Sequence, residues 1–110
     1  MAPADLSEGT AYYRITYADP GLTIPGVQPM IYVGPNIFPD DDPATVVYYF
    51  QDTISHSWRG PVTDPAHDSR HTEIESAVFP HSDVEVQRDV FTLAEVISAL
   101  IEAQGRAEKG

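Results

Sequence analysis

The chain has 110 residues, the length of one domain, and Val, Ile, Leu and Phe make up about 24 % of it, above the range of disordered chains. Its net charge is −11, from 17 acidic and 6 basic residues, and its only lysine is Lys109. That balance excludes a polybasic nucleic-acid binder and argues against an anionic-membrane binder, because both hold phosphates through Lys and Arg.

Ten prolines exclude a mostly helical bundle, and the lack of cysteine excludes disulfides, Cys-based zinc sites and thiol chemistry. Residues 1–10 lack a cationic segment, an apolar run and periodicity, and read as a flexible tail rather than a signal peptide. The longest apolar run, Val46–Phe50, is far shorter than the about 20 residues of a membrane span. A cytoplasmic protein follows as the expectation. Many alanines beside few lysines and asparagines suggest a GC-rich, bacterial coding sequence.

Ala11–Tyr17 alternates as a first strand, with Tyr13, Ile15 and Tyr17 on one face. Asp19-Pro20-Gly21 signals a turn. Six prolines between Pro20 and Pro43 argue against a long central strand there, leaving Met30–Val33 as a short one. Asn36–Ala44 reads as an exposed loop. Thr45–Gln51 is β-branched and aromatic on both faces, as in a strand covered on both sides. Asp52–Pro61 predicts one or two helical turns, with Asp52 as N-cap, Ile54 and Trp58 one turn apart, and Gly60 as the stop. Thr63–His71 reads as a polar loop.

Thr72–Phe79 alternates as a strand, although Thr72 and Glu75 also fit a helical capping box. Asp83–Val90 alternates too, with Val84 and Val86 facing in. Thr92-Leu93-Ala94-Glu95 is a capping box that opens a helix ending at Gly105, with 106–110 as a tail. Its stripe of Leu93, Val96, Ile97, Leu100 and Ile101 predicts the core contact, so that Leu100→Asp should prevent folding. Together these elements predict a single α+β domain over 11–105. A mainly antiparallel sheet of four or five strands carries the C-terminal helix on one face.

Candidate chemistry is sparse. The seven glycines are scattered, which excludes a phosphate-cradling loop. Ser55-His56-Ser57 sets hydroxyls beside an imidazole, but adjacent residues do not form a triad. Asp40-Asp41-Asp42 lacks the alternation of a calcium loop. His67, His71 and His81, with Asp83, could hold a metal, or His56–Asp83 a small molecule; a solvated loop is the plainer reading.

The charge is regional. Residues 40–89 carry 11 acids and 3 bases, net −8. They also carry Tyr48, Tyr49, Phe50 and Trp58. Aromatics in an acidic rim suit a basic partner, and no cofactor is implied. The expectation is a non-enzymatic interaction module of inhibitor, immunity or accessory type. It would bind through Asp40, Asp41, Asp42, Tyr48, Trp58, Arg59, Glu73 and Glu75. A homodimer covering exposed edges is a further expectation.

Overall fold

Alternation and capping chemistry organise the described residues into a five-stranded antiparallel sheet with helices. A computed structural model describes residues 1–64 and 77–109. The strands are β1 (Ala11–Tyr17), β2 (Pro25–Pro35), β3 (Tyr48–Asp52), β4 (Val78–His81) and β5 (Val90–Phe91), in the spatial order β4-β3-β2-β1-β5. The helices are α1 (Thr53–Arg59), α2 (Asp83–Asp89) and α3 (Leu93–Lys109), after a 3₁₀ turn at Pro3–Asp5.

The proline-rich stretch is a strand after all: β2 spans eleven residues and lies between β1 and β3. The register explains how. Tyr32 N donates to Thr10 O (3.0 Å) and Tyr32 O accepts from Gly9 N (2.8 Å), so the even-numbered residues of β2 serve the β1 side. Pro25 and Pro29, opposite Tyr17 and Tyr13, turn their missing N–H groups the other way. On that side β3 pairs only from Met30 onward, so neither proline breaks a ladder.

Alternation divides the core between the two faces of the sheet. On one face Phe50 is fully buried among Tyr12, Met30 and Tyr32, and Val86 of α2 and Val90 complete the cluster. Its ring meets Tyr12 edge-on at 6.3 Å and His81 at 5.0 Å. Met1 and Leu6 pack on this cluster. Residues 1–10, expected as a tail, are thus docked: Ser7 N donates to the Tyr12 hydroxyl (2.9 Å). On the other face Val33, Tyr49 and Val78 pack with Ile37, Phe38, Val47 and Val62.

Of Asp83–Val90, expected as a strand, Asp83–Asp89 is a helix and only Val90 is in a strand. Ser82 Oγ accepts from Glu85 N, and Glu85 Oε1 accepts from Ser82 N, so a capping box starts α2 here. Val86 of α2 and Val90, the first residue of β5, are buried, while Val84 is exposed. Most of Thr72–Phe79 lies outside the described residues. Its last two residues open β4, an edge strand that accommodates Pro80.

The N-cap of α1 and the capping box of α3 form as their sequences predict. Asp52 accepts from Ser55 N, and Thr92 and Glu95 bond reciprocally. Helix α3 runs past Gly105 to Lys109. Arg106 holds these last turns: its Nε donates to Leu22 O (2.8 Å), and its guanidinium lies 5.8 Å from the Tyr17 ring centre. Tyr17 shares a sheet face with Tyr13 and Ile15, so α3 lies on that face. It buries Val96 and Ala103 there. Leu93, Ile97, Leu100 and Ile101, expected as core, are 38–63 % exposed. Val96 and Ala103, smaller than leucine or isoleucine, let the helix sit close to the sheet, and the larger aliphatics turn outward.

Candidate functional site

The acidic residues between β2 and β3 are occupied with their own loop. Asp41 Oδ2 accepts from Phe38 N (3.0 Å), and Asp41 Oδ1 accepts from the Tyr49 hydroxyl (2.8 Å). Asp42 Oδ1 accepts from Ala44 N (2.9 Å). Asp40 stays exposed. Burial, then Asp41 and Asp40, push the Tyr49 phenol up to about 12, so it stays a donor at neutral pH.

Tyr48 is half-buried, tilted against Tyr32 at 6.4 Å. The Asp83 carboxylate near its hydroxyl, then burial, raises its pKa. His81 is buried: its Nδ1 lies 3.2 Å from Phe79 O and its ring packs edge-on to Phe50. Burial lowers its pKa. The structure does not bring His81 and Asp83 into a metal-ligand set. Among the described residues, no three His, Asp or Glu side chains converge as metal ligands do. His67, His71, Glu73 and Glu75 lie outside the described residues.

Trp58 differs from these groups. Its side chain is 85 % exposed, and Ile54, one turn earlier on α1, is 69 % exposed. Both line an open cleft of about 310 Å³ with Asp52, Ser55, Arg59 and Ala77. The helix carrying them is fixed from below. Gln51, fully buried in β3, donates through Nε2 to Ser55 Oγ (3.0 Å) and Gly60 O (3.1 Å), and accepts from Val62 N (3.0 Å). A buried amide thus clamps both ends of α1 and its exit loop to the sheet, leaving Ile54 and Trp58 presented outward on a rigid support.

The structure brings Trp58 and Arg59 of the predicted partner set to one cleft. Asp40, Asp41 and Asp42 belong to the β2–β3 loop, and Tyr48 to the opposite sheet face. Sequence reasoning placed Trp58 in the candidate set but missed Ile54 and the Gln51 clamp. The i, i+4 spacing of Ile54 and Trp58 was the available signal, but it reads equally well as a buried contact.

No protein family, curated protein or solved structure matches this chain. Among the described residues, no helix is long and apolar enough to cross a membrane.

Proposed function

We propose that this domain is a non-enzymatic protein-interaction module of inhibitor, immunity or accessory type whose partner docks on α1, with Trp58 as the anchor. The observation that carries this reading is the 85 % exposure of Trp58 beside exposed Ile54 on a helix clamped by Gln51. Solvating a large indole is unfavourable, and a partner that covers it gains that burial without having to order the helix. The net −8 over residues 40–89 supports a basic partner surface, with the carboxylates serving encounter and orientation and the aromatic serving affinity.

Immobilised protein, challenged with lysate across a salt series, tests the reading. A basic protein should be retained by the wild type, be released as salt rises, and be lost with Trp58→Ala at an unchanged thermal melt. Equal retention by Trp58→Ala, or retention indifferent to salt, would overturn it.

A further inference from the structure

Helix α3 has a second apolar surface that the fold does not use. Val96, Ala103 and Arg106, spaced by seven and three residues, meet the sheet. Leu93, Ile97, Leu100 and Ile101, spaced by four, three and one, form a neighbouring line that is 38–63 % exposed. Beside them, Val27 of β2 is exposed on the sheet face that α3 occupies, opposite Ile15. Val27, Leu93, Ile97, Leu100 and Ile101 leave apolar area on the order of the few hundred Å² that marks an interaction surface.

We propose that this face is where two copies of the chain associate, their α3 helices packed antiparallel about a two-fold axis near Leu100 and Ile101. Three observations favour a second copy over another occupant. The first is charge. In a chain of net charge −11, Val27, Leu93, Ile97, Leu100 and Ile101 are all uncharged, so two acidic copies can approach here without setting carboxylates against each other. A basic partner would find a single acid on this side of the helix, Glu108.

The second is the place of Glu108. It lies seven residues beyond Ile101, on the same side of the helix, and is exposed. Antiparallel packing about residues 100 and 101 sets it against Leu93 of the other copy, at the positive end of that helix. A parallel pair would instead bring the two Glu108 carboxylates together.

The third is area. A two-fold interface buries the patch twice, and with its polar flanks reaches about 1,000 Å², where specific interfaces begin. An interface of that size predicts a reversible dimer rather than a permanent one.

Light scattering and sedimentation over micromolar to millimolar protein test this. The mass should rise with concentration from 12.1 kDa toward twice that value. Ile97→Glu and Ile101→Glu, both at exposed positions, should weaken association at least tenfold while leaving the circular dichroism spectrum unchanged. Trp58→Ala should leave association intact. The chain has no cysteine, so Ile101→Cys adds a single thiol close to the axis, and diamide oxidation should link two copies. A chain monomeric at every concentration, or a dimer indifferent to both Glu variants, would overturn the surface. A dimer in which Ile101→Cys fails to cross-link would overturn the antiparallel arrangement.

Discussion

The Tyr49 hydroxyl donates to Asp41 Oδ1 at 2.8 Å, and this bond ties the β2–β3 loop back onto the strand that follows it. The same carboxylate accepts from Phe38 N, whose ring packs edge-on to Tyr49 at 5.1 Å. Asp41 is therefore the knot of a small folded unit. Tyr49→Phe removes one hydrogen bond and should cost about 1 kcal/mol, whereas Asp41→Ala also strands the Phe38 amide and should cost about 2 kcal/mol. Urea denaturation of the two single variants and the double variant checks this. The double variant should be less destabilised than the sum, because both changes act on one bond.

Two glycines should respond oppositely to alanine. Gly34 sits at an irregularity in the β2–β3 pairing with φ +129°, and a Cβ there would lie 2.9 Å from Glu8 Oε1. Gly34→Ala meets an unfavourable backbone region as well as this contact, and should destabilise by about 1–3 kcal/mol. Gly105 lies within α3 with open space where its Cβ would be. Gly105→Ala should stabilise by about 0.5–1 kcal/mol. Chemical denaturation midpoints of the two variants should move in opposite directions from the wild type.

Local chemistry made several elements readable in the sequence, and long-range placement made others unreadable. The Thr92–Glu95 box, the Asp52 cap and the β1 alternation rest on neighbours within four residues, and each formed as read. Asp83–Val90 carried two local signals at once, alternation and the Ser82–Glu85 box. The box prevailed: Ser82 and Glu85 cap the helix reciprocally, Val86 is buried from the helix and Val84, which alternation would bury, is exposed. The prolines of β2 misled because proline excludes a strand only where a partner needs its N–H, and the partner's extent is a tertiary fact. The stripe on α3 had the right period. However, period cannot tell which part of a wide apolar arc meets the sheet. Likewise, the spacing of Ile54 and Trp58 was visible, while their exposure depends on Gln51 clamping α1 from below.

Placement of α3 leads to a direct test on its two sides. Val96 is buried, so Val96→Asp puts an unpaired carboxylate in an apolar contact and should abolish the cooperative thermal transition. Ile101 is 63 % exposed, so Ile101→Asp should shift stability by less than about 1 kcal/mol. Leu100→Asp should fall between them and still fold. Melts followed by circular dichroism, at protein concentrations low enough to keep copies apart, separate the three outcomes. Equal loss of folding in all three would show that the outward side of the helix is needed for the fold.

His81 sets the response to mild acid. Its ring is buried against Phe50, and burial is the main cause that lowers its pKa from the ordinary value of 6.5. The nearby charges divide: Arg14 disfavours the protonated ring, while Glu85 and Asp89 favour it. A histidine whose folded pKa is depressed binds fewer protons folded than unfolded between the two pKa values. Its neutral form is accommodated at no proton-linked penalty above about pH 6.5. As pH falls below that value the unfolded chain takes up the proton first, and stability falls. One such group changes stability by at most about 1.4 kcal/mol per pH unit. The urea midpoint should therefore drop between pH 7.5 and 5.5, before most carboxylates titrate. His81→Gln, which cannot take up a proton, should show a lower midpoint at pH 7.5 and a flatter dependence across the same interval. If His81→Gln keeps the wild-type slope, another group carries the acid response.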